Sequence, residues 1–200
     1  MSQELIDLTT GEFEHRSKDV TLLPVPEPRA AEPVAADSDS VRLLETGGLF
    51  DTLNDAIAAA ATASLDTFTL EIIGNVEDTG DVVISSNITI VAAEGSHITT
   101  AAAGEILVQD GGVLTLGNGT DTEMLTILQR VRVTDGSVNM QNGVTLKGSA
   151  DALTLRGQSA AGTISGGIIN GDYTAIDVSG GATITEISGG VFSRSHSERS

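Results

Sequence analysis

The chain has 200 residues, with 28 acidic and 10 basic side chains and a formal charge of −18. That balance argues against nucleic-acid binding, which needs a basic face to neutralise phosphates, and the lack of cysteine removes disulfides and thiolate metal sites. Aromatics are only 2%, too few for a stacking platform, while glycine reaches 23 of 200 residues. The 40% of hydrophobic side chains can still bury a core, built from small and β-branched residues.

The chain opens MSQELIDLTTGEFEHRSKD. A secretory signal needs a basic start and an unbroken apolar stretch of ~7–15 residues, and Glu4, Asp7, Glu12 and Glu14 interrupt any such stretch. No apolar run approaches the ~18 residues of a membrane span. The chain is therefore expected to carry neither an export signal nor a membrane span. Residues 1–46 hold ten acids and four bases. Pro24, Pro26, Pro28 and Pro33 fall close together, and proline biases its predecessor to extended geometry. An acidic, proline-rich flexible tail is predicted over 1–46, acting as a spacer or attachment arm. Leu5, Ile6, Leu8 and Phe13 form a local apolar cluster able to anchor on a partner.

Residues 47–66 predict a capping helix, centred on 52–63. Asp51 stands where an N-cap belongs, and Leu53, Ile57 and Ala60/Ala61 recur at helical spacing. Alanine favours helix, and neither glycine nor proline falls between Asp51 and Asp66. Asp51 and Asp55 lie one turn apart. Acids there serve the helix dipole, and two carboxylates alone rarely hold calcium.

From Phe68 the pattern changes period. FTLEII, VVISSNITIV, EILVQDGGVLTL, RVRVTDGSVNM, GVTLKG, DALTLRG and AIDVSGGATI are short, alternating and β-branched, with turn residues between them. These segments also repeat. ALTLRGQSAAGTISGGII from Ala152 matches AIDVSGGATITEISGGVF from Ala175 at an offset of 23 residues. This sets Leu153 on Ile176, Ile164 on Ile187 and Ser165 on Ser188. ILVQDGGV from Ile106 matches VRVTDGSV from Val131 at an offset of 25 residues. Such a period predicts an all-β, right-handed parallel β-helix over 67–193, of about five to six coils with three strands each. Apolar ladders should face in, and Thr89, Thr115, Thr145 and Thr154 should face out. An antiparallel sandwich is the competing architecture, since Asp110-Gly111 and Asp135-Gly136 are hairpin signals. Residues 194–200 read as a polar tail. The helix is placed to cover the first coil, whereas the last coil is expected to be bare and open to end-to-end self-association.

The words DTLNDAIAAA, DTFTLEIIGNV, SSNITIVAAEGSHIT, ISGGIING and ISGGVF resemble right-handed parallel β-helix (pectin-lyase-like) segments of bacterial surface proteins and adhesins. The resemblance covers roughly residues 47–193. It implies the fold, and a cell-surface or virion setting in which a glycan or a host or cell-surface component is the partner. Its class also includes polysaccharide lyases, hydrolases and phage tailspikes.

Candidate chemistry is sparse. Glycoside hydrolysis needs two carboxyls about 5–10 Å apart, and Glu77-Asp78 is the one acidic doublet of the repeat region. A lyase-type base would come from Arg130, Arg132, Lys147 or Arg156. Arg130 and Arg132 share a strand face and Arg156 lies a coil further, so a basic ladder able to hold an anionic glycan is conceivable beside a plain solvated face. His15, His97 and His196 lack metal-ligand spacing, with His97 expected at a turn. Ser195, His196 and Glu198 spell triad letters without geometry to fix them. Asn87-Ile88-Thr89 and Asn118-Gly119-Thr120 match the glycosylation pattern, and outward threonines are shared with ice-binding faces and with ordinary strands. No catalytic, cofactor-binding or metal-ligating residue is assigned and no cofactor is expected. The sequence favours a non-catalytic structural or adhesive module, with a glycan-binding or glycan-cleaving β-helix as the alternative.

Overall fold

A computed structural model describes residues 40–93, 97–100, 104–120 and 124–195. The prolines, the Leu5–Phe13 cluster, His15, His196 and Glu198 lie outside the described residues. The folded part begins with a hairpin, β1 (Val41–Leu43) and β2 (Gly48–Phe50), followed by α1 (Leu53–Thr62) and β3 (Thr67–Ile72). Five coils of three strands follow. They are β4 (Val82–Ile84), β5 (Asn87–Ala92) and β6 (His97–Thr100); β7 (Glu105–Val108), β8 (Gly112–Leu116) and β9 (Met124–Ile127); β10 (Arg130–Val133), β11 (Gly136–Met140) and β12 (Val144–Gly148); β13 (Asp151–Arg156), β14 (Ala160–Ile164) and β15 (Ile168–Gly171); and β16 (Thr174–Ser179), β17 (Thr183–Ile187) and β18 (Val191–Arg194).

Each strand pairs in parallel with its counterpart one coil away, which makes the architecture a parallel β-solenoid. Sheet I runs β2-β1-β3-β5-β8-β11-β14-β17, sheet II β4-β7-β10-β13-β16 and sheet III β6-β9-β12-β15-β18. The sandwich reading fails on this pairing. Asp110-Gly111 sits in the corner between sheets II and I, where Asp110 takes φ 54° and Gly111 φ 78°, and the chain carries on to the next sheet instead of folding back. Antiparallel pairing occurs where β1 joins β2 and β3. Residues 41–46, expected in the tail, therefore belong to the folded part. Val41 and Leu43 are buried there while Arg42 bonds outward to Glu71.

The core is a set of stacked ladders. Val82, Ile106, Val131, Leu153 and Ile176 align in sheet II, and Leu70, Ile90, Leu116, Met140, Ile164 and Ile187 in sheet I. Ile127, Leu146, Ile169 and Phe192 do the same in sheet III. The expected contacts Leu153 on Ile176 and Ile164 on Ile187 are present. Burying each such side chain is worth about 1.5–3 kcal/mol, and the repeat realises that gain coil after coil. In the neighbouring sheet I ladder of Phe68, Ile88, Leu114 and Val138, Gly162 takes the next place, and the Leu155 side chain lies 2.9 Å from where its Cβ would stand.

Outward rows are polar. Thr69, Thr89, Thr115, Asn139 and Thr163 form one such row on sheet I, each half-buried by its neighbours. Thr154 departs from expectation, being fully buried on the outward face of sheet II. It stands in register between Arg132 and Asp177, whose long or ion-paired side chains close over a short one. His97 opens a strand, β6, and not a turn.

Helix α1 covers the first coil, burying Leu53, Ala56 and Ala60, with Ile57 half-buried beside them. Its N-cap is Thr52 and not Asp51. The Thr52 hydroxyl accepts from the Asp55 amide at 3.1 Å and donates to the Asp55 carboxylate at 2.7 Å, a reciprocal cap that takes up the Asp55 side chain. A second acceptor arrives from 25 residues away. Asp78, 1% exposed, accepts from the amides of Leu53 at 3.3 Å and Asn54 at 3.1 Å.

Burial pushes the Asp78 carboxyl above the ordinary carboxylate range. The Asn54 and Leu53 amides oppose that rise only in part, and the charge of Asp55 adds to it. Folded Asp78 thus holds its proton more tightly than unfolded Asp78. Its contribution to stability is complete below the unfolded value of ~3.9 and declines as pH rises through the folded one. Against Asp78→Asn, wild type is expected to gain relative stability as pH is lowered toward 4 in urea titrations; a gap constant with pH would refute the assignment. At neutral pH, Asp78→Ala is expected to cost roughly 1–3 kcal/mol by leaving two helix amides unpaired.

Candidate functional site

The charged chemistry of the described residues gathers on the outer face of sheet II. In-register stacking puts Glu105 beside Arg130 of the next coil, and strand alternation puts Arg132 on the same face. The Glu105 carboxylate bridges both. One oxygen accepts from Arg130 Nε at 2.9 Å and the other contacts an Arg132 terminal nitrogen at 2.6 Å. The Glu105 side chain is 13% exposed and the two arginines are about a third exposed, so the cluster is half-desolvated and stronger than a surface pair. Asp81, at the entrance to the same sheet, accepts from the Glu105 amide at 3.0 Å.

Asp81, Glu105 and Arg130 border a groove of about 390 Å³ where sheet III turns into sheet II. Asp81, Glu105, Arg130 and Ser149 supply its polar lining and Leu128 and Ala150 its apolar one. Gln129 also lines it and is 2% exposed, with neither its amide oxygen nor its nitrogen hydrogen-bonded. Arg132 Nε and Thr154 Oγ1 are likewise buried without partners on the same sheet. Unsatisfied buried polar atoms are costly, and those of the described residues gather at this wall and on sheet II beside it.

The structure thus brings together Arg130 and Arg132, which the sequence placed on one face, and adds Glu105 and Asp81, which it did not single out. Arg156 lies on sheet II but turns to Asp177 of the following coil, at 3.2 Å. Lys147 stands exposed on sheet III, where it lines a separate groove. The basic ladder is therefore a ladder of ion pairs. Ser195 donates to Asn170 at 2.6 Å. Asn118 accepts from the Thr120 amide and hydroxyl in a local turn. Among the described residues no three His, Asp or Glu side chains gather as a metal site, and no helix is long and apolar enough to cross a membrane. Glu105 was legible only once the offset of 25 residues was used to stack Ile106 on Val131, which carries Glu105 onto Arg130.

Compared with known proteins, the chain matches no family model, no curated protein and no solved structure. Its fold defines a parallel β-solenoid of five coils, one long face of which is charged and grooved.

Glu105→Ala would leave two guanidiniums facing each other, one with a buried unpaired Nε. The expected cost is roughly 1–3 kcal/mol in urea denaturation, between the values for exposed and buried pairs. Arg130→Ala, which leaves Glu105 with Arg132, should cost less.

Proposed function

We propose that the chain is a non-catalytic structural or adhesive β-solenoid module, like the pectin-lyase-like segments of bacterial surface proteins that it resembles. In this reading sheet II is its contact face for a glycan or another cell-surface component. The observation that carries this reading is the Glu105 bridge. A guanidinium recruited as base or as sole anion receptor would need to be free of an internal counter-ion, and both candidates share one carboxylate. Paired carboxylate and guanidinium groups instead offer fixed acceptors and donors to a neutral or weakly charged polyol. The glycan-cleaving reading keeps one specific support, namely two carboxyl residues, Asp81 and Glu105, lining one groove.

Incubation with a panel of neutral and uronate polysaccharides distinguishes the two. The expected result is retention on one or more of them, weakened by Arg130→Ala, with no release of reducing ends or unsaturated uronate. Turnover abolished by Asp81→Asn would replace the structural reading with the enzymatic one.

A further inference from the structure

We propose that Asn118 is a site of spontaneous modification, where the chain converts a side-chain amide to an aspartyl or isoaspartyl residue with water as the sole co-reactant. This does not depend on the glycan reading. Three Asn-Gly pairs occur in the chain, Asn118-Gly119, Asn142-Gly143 and Asn170-Gly171, and the fold treats them differently. Asn118, Gly119 and Thr120 are all exposed, in the corner that follows β8. The Asn118 Oδ1 accepts from the Thr120 amide at 3.0 Å and from the Thr120 hydroxyl at 2.8 Å. These bonds fold the side chain over the Gly119 peptide, whose nitrogen has no hydrogen-bond partner among the described residues. Gly119 has φ +83°. Beyond its chain neighbours, one atom stands near its missing Cβ, the Gln141 side-chain oxygen at 3.5 Å, so the turn is open on that side.

The Gly119 nitrogen, once its proton passes to hydroxide, attacks Asn118 Cγ. A bond forms between them and the carbonyl electron pair moves onto Oδ1. Both Thr120 donors are aimed at that oxygen, so they stabilise the charge as it develops. Collapse expels Nδ2, which takes a proton from water and leaves as ammonia, and a five-membered imide remains. Water then opens the imide, at Cγ to give aspartate or at the main-chain carbonyl to give isoaspartate. The other two pairs lack this arrangement. Asn142 is half-buried, its Oδ1 fills the space beside Gly166, and it accepts no hydrogen bond among the described residues. Asn170 receives one donor, the Ser195 hydroxyl at 2.6 Å. It lies with Gly171 inside β15, however, where pairing with β12 and β18 holds the backbone extended and away from ring closure.

Incubation of the full 200-residue chain at mildly alkaline pH in heavy-oxygen water, followed by peptide mapping, tests the proposal. Heavy oxygen and isoaspartate are expected at Asn118, formed about tenfold or more faster than at Asn142 or Asn170, at a rate that rises with hydroxide concentration. In the chain unfolded by urea the three pairs should react at converging rates, because their local sequences are alike and the fold no longer separates them. Thr120→Val keeps the side-chain shape at an exposed position, and so is compatible with folding, but removes one donor. It should slow the reaction at Asn118 about fivefold to tenfold, less than the ~10²–10³ of a donor in a buried site. Equal conversion at the three pairs in the folded chain, no conversion at Asn118, the same ranking in urea, or a Thr120→Val chain that reacts as fast as wild type or faster would each overturn it.

Discussion

Gly136→Ala is expected to be among the most damaging single-methyl changes in this chain. Gly136 opens β11 with φ +134°, a region that L side chains rarely occupy, and stacks in register on Gly112 of the coil before. A Cβ there would be driven into the Gly112 carbonyl oxygen, which is backbone and cannot swing aside. Backbone strain and overpacking each cost about 1–3 kcal/mol, so a loss of roughly 3–5 kcal/mol is expected. Gly111 supplies the control. It too has a positive φ, +78°, but open space surrounds its missing Cβ. Gly111→Ala should therefore show only the strain, about 1 kcal/mol. Urea denaturation of both variants measures the difference. Hydrogen exchange should place the damage of Gly136→Ala at the β8–β11 seam. Equal losses for the two variants would show that close approach across the coils is not what Gly136 serves.

The second large effect is expected at Phe68. Among the described residues it is the largest fully buried side chain, and it stacks on Ile88 at the end of the solenoid that α1 covers. Phe68→Ala should cost about 3–5 kcal/mol, transfer and cavity together. Ile187→Ala removes a ladder residue of the same face at the opposite end, but from a site 53% exposed, and should cost under about 1 kcal/mol. Solenoid stability is close to a sum over neighbouring coils. The Phe68 variant should accordingly lose protection first in β3 and β5 and leave β13 to β15 protected. A uniform loss over all coils would mean that the five coils unfold as one cooperative block.

The parts of this fold legible in the sequence are those that repeat. Leu153 and Ile176, or Ile106 and Val131, could be paired by offset alone because the same inward position recurs once per coil. Where a contact is made once, the pattern is silent. Val41 and Leu43 form a strand within an acid-rich stretch because a partner strand, β3, is supplied from elsewhere in the chain. Asp78 binds a helix N-terminus that local reading assigned to Asp51, and nothing beyond its standing in an acidic doublet hinted at that reach. Asp-Gly corners look alike in a hairpin and in a solenoid, since both need a positive φ and only the next pairing tells them apart. The charged face falls between these cases. Arg130 and Arg132 were visible as a pair, but their neutralisation by Glu105 emerges only once coils are set in register.

The corners between sheets carry a further consequence. The link from sheet I to sheet III spans residues 141–143 in one coil and 165–167 in the next, yet 117–123 in the coil before them, while the strands on either side keep their alignment. Axial stacking thus tolerates links of different length between the same two sheets. An insertion at this corner is expected to leave the register of the flanking strands unchanged, so that a chain built on this plan can vary its links while keeping its scaffold.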